Sequence, residues 1–188
     1  MGLPAEKRRP ATYADLEAVP SHLVAEIMNG ELRTMPRPPP KHTNTSSALG
    51  YLVGAPFGFS VGGPGGWTIL DQPELHLGPD ILVPDLAGWT RERMPRLPEI
   101  HFDLAPDWVC EVLSPSTAAS DRADKMPIYA RENVHIAWLI DPLLKTLEVF
   151  VLNPDRRWLL AAVHRGEARV RAEPFDAIEI DLALLWAK

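Results

Sequence analysis

The chain has 188 residues, a formal net charge of −6 and 46% hydrophobic residues. That length suits one domain with a real core, and the acidic balance argues against a strong non-specific nucleic-acid binder while leaving room for a nuclease with a local basic rim. No apolar run reaches membrane-span length, Met1 to Pro10 carries Lys7, Arg8 and Arg9 but no apolar signal core, and the single Cys110 excludes an internal disulfide, so a cytoplasmic protein with an inert buried thiol is expected.

In chain order, residues 1–10 read as a disordered tail before a single domain over 11–188. Thr12-Tyr13-Ala14-Asp15 resembles a capping box and opens a short helix that stops near Pro20. Leu23 to Met28 and Glu31 to Met35 form a hairpin, because Asn29-Gly30 between them suits a type I′ turn. Pro36 to Pro40 is a stiff extended spacer, and Thr43 or Asn44 can cap a helix through about Val53. Gly62-Gly63-Pro64-Gly65-Gly66 is not read as a phosphate cradle: no Gly-Lys-Ser/Thr follows, and Trp67 begins a strand, so a hairpin-like turn is expected. Strands follow at 67–77 and 81–89. The loop from Arg91 to Pro98 carries Arg91, Arg93 and Arg96, which either face solvent or face phosphates.

Trp108 to Leu113 is apolar on both alternating faces, the pattern of a strand covered on both sides. A helix is expected over 121–132. There Pro127 either kinks the interior, freeing the Ala123 carbonyl, or is tolerated in the first turn of a helix that starts nearer Asp124. Strands at 135–141, 146–152 and 158–164 follow, and Phe175 to Trp186 closes the core as a last strand or short helix. Strands outnumber helices, which gives an α+β fold.

The chemistry concentrates in misplaced charges. Glu111 lies inside the apolar strand, where an ionised carboxylate costs several kcal/mol unless it is paired or holds a cation. Asp85 sits in another apolar run, and Pro84 before it marks a strand start, edge or bulge that can aim its side chain into a site. Lys125 lies 14 positions after Glu111 (125 − 111), across a Ser-Pro turn and a helix start. Two carboxylates and a lysine are the minimum for metal-assisted phosphodiester hydrolysis. Oxygen ligands with open water positions suit Mg²⁺ or Mn²⁺. Glu74 either adds a carboxylate to that metal or faces solvent. The six histidines are scattered, without His-x-x-His or Cys-x-x-Cys, so zinc is not expected, and Ser114-Pro115-Ser116 is no nucleophile elbow.

These residues also carry a resemblance. Pro84-Asp85, then Glu111-Val112-Leu113-Ser114-Pro115-Ser116-Thr117, Asp121-Arg122 with Lys125 and Tyr129, and Ala137 to Pro142 occur in that order. With Glu26 to Leu32 and His42, they make the chain similar to the Uma-two-type restriction endonuclease family of the PD-(D/E)XK superfamily, over about Tyr13 to Trp186. The resemblance implies a restriction-endonuclease-like mixed β-sheet flanked by helices, with an N-terminal hairpin extension. It also implies a metal-dependent endonuclease acting on DNA, with Asp85, Glu111 and the Val112 carbonyl as ligands. The usual Glu-x-Lys is absent, because Val112 and Leu113 follow Glu111, so the lysine role falls to Lys125. Glu26 either approaches the site or pairs with an arginine, and His42 either joins the site or contacts a helix cap. A homodimer is expected, since duplex cleavage needs two cuts. The rival reading is a catalytically silent nucleic-acid- or protein-binding module that keeps the fold.

Overall fold

The computed structural model describes residues 9–186. Residues 1–8 of the expected tail lie outside the described residues, but Arg9 is already held, by an ion pair to Asp15 at 2.7 Å. Asp15 also accepts the Thr12 N–H at 2.8 Å, fixing the first turn of α1 (Tyr13–Glu17). Strands β1 (Leu23–Met28) and β2 (Glu31–Pro36) pair antiparallel through a tight turn. Asn29 and Gly30 there have φ of 54° and 79°, the positive values a type I′ turn demands.

Helix α2 (Pro40–Val53) begins before either expected cap. Pro40 occupies its first position, where no N–H is needed and the proline φ is already helical. His42 therefore lies within the first turn rather than ahead of the helix. A π-helical turn (Gly54–Gly58) continues α2 into the glycine-rich segment. That segment is not a hairpin turn: it leads into β3 (Trp67–Asp71), whose partner is β6 (Leu86–Thr90). Gly63 is required there, because a Cβ would lie 2.3 Å from the Pro56 Cβ.

Each of the two expected long strands is broken, and each break moves the chain between sheets. After β3, Gln72-Pro73 ends the pairing, and β4 (Leu75–Leu77) joins β5 (Asp80–Leu82) in the sheet of order β2-β1-β5-β4. After β5, Val83-Pro84-Asp85 carries the chain back to β6 in the six-stranded sheet. Proline lacks the ladder donor, so both breaks fall where a proline stands. The second leaves Asp85 at the seam of the two sheets.

The larger sheet has the order β10-β9-β8-β7-β6-β3, built with β7 (Trp108–Val112), β8 (Ile136–Asp141), β9 (Thr146–Leu152) and β10 (Trp158–Arg165). Among the described residues only β7 and β8 pair parallel in this sheet, so the chain must cross over between them, and it does so through helix. The crossover runs through α3 (Ala118–Ser120), a π-helical turn (Asp121–Lys125) and α4 (Met126–Arg131). It starts before residue 121, and Pro127 lies near the start of α4. The π turn just ahead absorbs the ladder interruption that proline imposes.

Both faces of this sheet are covered, which explains the doubly apolar β7. Leu49 and Val53 of α2 pack with Trp108, Cys110 and Trp138 on one face. Met126, Ile128 and Tyr129 pack with Val109 and Leu113 on the other. The C-terminal segment supplies β11 (Arg169–Val170), β12 (Ile180–Asp181) and a 3₁₀ turn at Leu182–Leu185. It buries Phe175 edge-on against Trp108 and Trp138. The fold is α+β, a mixed sheet flanked by few helices. Among the described residues, no helix is long and apolar enough to cross a membrane.

Candidate active site

Glu111 shares its strand face with Val109 and Leu113, so it points at the crossover helix rather than at α2. The helix meets it with two side chains one turn apart. The Tyr129 hydroxyl donates to Glu111 Oε1 at 2.6 Å, and Lys125 Nζ lies 3.3 Å from the same oxygen. Lys125 Nζ also lies 3.0 Å from Glu26 Oε1 and 3.5 Å from Asp121 Oδ1. The expected strand-to-helix reversal thus brings Lys125 onto Glu111.

Asp85 arrives from the seam. Its Oδ2 accepts the Val112 N–H at 2.7 Å and lies 3.1 Å from His42 Nε2. Because Leu86 pairs with Cys110, Asp85 stands beside the Glu111–Val112 end of β7. Glu26 on β1 is fully buried. Its Oε1 accepts the Val83 N–H at 2.8 Å, while Oε2 is buried with no hydrogen-bond partner among the described residues. Glu26 does not pair with its cross-strand neighbour Arg33, which instead reaches Asp124 at 2.6 Å. Asp85, Glu111, Val112, Lys125, His42 and Asp121 line one cavity of about 110 Å³, with Ser114, Ser116 and Thr117 at its polar margin.

Burial sets the electrostatics. It pushes the Glu111 carboxyl well above the ordinary range; Lys125 opposes that, and Asp121, Asp85 and Glu26 add to it. Asp121 is raised for the same first reason. Burial disfavours the Lys125 ammonium, but Glu111, Glu26 and Asp121 outweigh it and hold the pKa well above the usual lysine value. Burial lowers the His42 pKa, but its bond to Asp85 and the charges of Asp85 and Asp121, with the Val112 backbone, together raise it overall. Four carboxyl groups thus surround one ammonium and one imidazole. The carboxylates of Asp85 and Glu111, lining one cavity, are oxygen donors that fit a hard divalent cation.

Glu74 is not brought to this cavity. Its Oε1 is 2.8 Å from His76 Nε2, and it lines a neighbouring groove, because the break at Pro73 moves β4 away from the Asp85 strand. The arginine loop does not face the site either. It follows the far end of β6, five residues or about 17 Å from Asp85. Arg93 pairs with Asp107 at 2.6 Å, Arg91 donates to the Gly58 carbonyl, and Arg96 is exposed.

Two roles were not read from the sequence. Asp121 and Tyr129 both stand four positions from Lys125, the spacing that puts side chains on one helical face. Asp80 is also fully buried, between the Asn29 N–H at 2.6 Å and Arg131 at 2.8 Å, where it ties the hairpin turn to α4.

The fold has a solved counterpart. A crystal structure described as that of "a putative nuclease belonging to DUF820" from Anabaena variabilis ATCC 29413 is similar at a TM-score of 0.70 and 22% identity, covering 94% of this chain and 98% of that one. No curated protein matches. Residues 10–184 match the Uma2 family, described as "Putative restriction endonuclease", and the chain belongs to that family.

Proposed function

We propose that the chain is a Mg²⁺- or Mn²⁺-dependent endonuclease that hydrolyses DNA phosphodiester bonds with a PD-(D/E)XK-type site. The observation that carries this reading is the Lys125 ammonium, set by the crossover helix against Glu111 in the cavity that Asp85 also lines. We assign it the role of the missing strand lysine.

Asp85, Glu111 and the Val112 carbonyl are the residues that would hold the ion. When bound, the ion supplies Lewis-acid polarisation of the phosphate and a more acidic water. The protein's own groups do the rest. Lys125 orients the attacking water and offsets charge that develops on the phosphoryl oxygens. Glu26 and Asp121 keep that ammonium charged and aimed. Tyr129 fixes Glu111 in one rotamer, and His42 steadies Asp85. Hydrolysis forms a bond from the water oxygen to phosphorus and breaks one phosphorus–oxygen ester bond, leaving a phosphate end and a hydroxyl end. A two-fold dimer would present two sites to a duplex; sedimentation at micromolar concentration is expected to give the dimer mass, and a monomer counts against it.

The rival, a silent module, is favoured by one observation. Lys125 already has three carboxylate partners, and Asp85 is already engaged by the Val112 N–H and His42. Nicking of supercoiled plasmid in Mg²⁺ or Mn²⁺ decides between them. The nuclease reading expects cleavage that EDTA and Asp85→Asn both abolish. No cleavage of any DNA form by folded wild type, or equal cleavage by Asp85→Asn, overturns it.

A further inference from the structure

We propose that Glu74, His76 and His101 form a second metal site, for a borderline cation such as Zn²⁺ or Co²⁺, distinct from the carboxylate-rich cavity. One candidate ligand atom from each of the three lies within 4.8 Å of the others. The backbone explains why. Residues two apart on an extended strand share a face, which aligns Glu74 with His76. A bridge between Leu75 and Phe102 then docks the loop beside them. The His76 N–H donates to the Phe102 carbonyl at 2.8 Å, and the Phe102 N–H donates to the Glu74 carbonyl at 3.0 Å. His101 is thereby held against His76, with ring centroids 3.7 Å apart.

The donor chemistry differs from the first site. Two imidazoles and one carboxylate suit zinc and its neighbours rather than magnesium, and three protein ligands leave a tetrahedral ion one open position. His101 has the arrangement of a ligating imidazole. Its Nε2 is 3.5 Å from Asp103 Oδ1, while its buried Nδ1 has no hydrogen-bond partner among the described residues. Metal-bound histidines commonly orient their other nitrogen on a carboxylate in this way. The Tyr13 ring stands edge-on to His76 at 5.0 Å, walling one side. Closing around an ion requires one ring to tilt from the parallel stack. His101 is the freer of the two, its side chain 29% exposed against 16% for His76. The ion would staple the loop between β6 and β7 onto the edge strand β4. It would sit beside a groove that shares Val24, Arg37, Gln72 and Val83 with the first cavity.

The test is titration of EDTA-stripped full-length protein with Zn²⁺ by calorimetry, in excess Mg²⁺ to occupy oxygen sites, with Co²⁺ visible absorption as the second readout. One tight Zn²⁺ per chain is expected, with a Co²⁺ spectrum typical of nitrogen ligation. His76→Ala and His101→Ala should each weaken binding by at least about a hundredfold. Asp103→Asn should weaken it by about tenfold, the usual range for an orienting carboxylate. Asp85→Asn should leave the isotherm unchanged. His101→Ala lies on a loop and is expected to keep the wild-type circular dichroism, which guards against a folding artefact. The proposal is overturned if His101→Ala binds Zn²⁺ as wild type does. It is overturned equally if wild type binds none, or if Asp85→Asn rather than the histidine variants removes the binding. None of these outcomes depends on whether the chain cleaves DNA.

Discussion

Replacing Lys125 by methionine keeps most of the stem and deletes the one ammonium among three carboxylates. Its Nζ lies 3.0 Å from Glu26, 3.3 Å from Glu111 and 3.5 Å from Asp121, and its side chain is 5% exposed, so water cannot substitute for it. Removing one partner of a buried ion pair costs about 3–5 kcal/mol, because the other charge is left uncompensated. For a chain of this size each kcal/mol moves the midpoint by about 2–4 °C, so a fall of about 6–20 °C is expected at pH 7. The pH dependence has a definite sign. Glu111 and Asp121 are already raised with Lys125 present, and losing the ammonium raises them further. A carboxyl with a raised folded pKa favours the folded state below its unfolded value, and that contribution is lost as pH rises through the folded value. The deficit of Lys125→Met should therefore shrink at pH 5 and widen at pH 8.5. Thermal melts across that range provide the assay, with Lys125→Met/Glu111→Gln expected to recover part of the loss. A single variant that melts within about 2 °C of wild type at every pH would refute the buried-cluster reasoning. In the same variant metal binding should survive, while cleavage falls about a hundredfold or more, the scale of losing one acid–base or electrostatic group.

Glu111→Gln keeps the shape and removes a carboxylate that burial already disfavours, so the metal-free protein should melt at or above wild type at pH 8. Mn²⁺ at a hundredfold excess over its dissociation constant should add about 2.7 kcal/mol to wild type and almost nothing to this variant; an equal gain in both would remove Glu111 from the ligand set. The raised His42 pKa means that its pairing with Asp85 stabilises the fold fully below the unfolded histidine value of about 6.5, and less as pH rises through the folded value. The melting difference between wild type and His42→Ala should accordingly be larger at pH 5.5 than at pH 8.5, and a gap that grows with pH would contradict the pairing.

How much of this was legible in sequence depends on how local each signal was. The Asn29-Gly30 turn and the strands after Trp108 follow from short-range periodicity, and they stand where expected. Pro84 announced a break beside Asp85. That the chain changes sheets there, and again at Pro73, was not legible, because a missing ladder donor marks where pairing stops and not where it resumes. The sheet switch at Pro73 also separates Glu74 from Asp85, which a continuous strand would have left neighbours. Thr43 and Asn44 have the chemistry of caps, yet α2 starts earlier, because Pro40 is itself a valid first residue. Glu26 could not be resolved between arginine and the site, since its hairpin position allowed either. Only the packing of β1 under the seam puts it against Lys125. His101 joins Glu74 and His76 through one long-range bridge, which no spacing rule encodes.

The metal assignment is tested most directly by anomalous scattering from a crystal of the full chain soaked in Mn²⁺. A strong peak is expected in the cavity, where Asp85, Glu111 and the Val112 carbonyl would hold the ion. A cavity without a peak while Mn²⁺ binds elsewhere, or a peak that touches neither Asp85 nor Glu111, would contradict it.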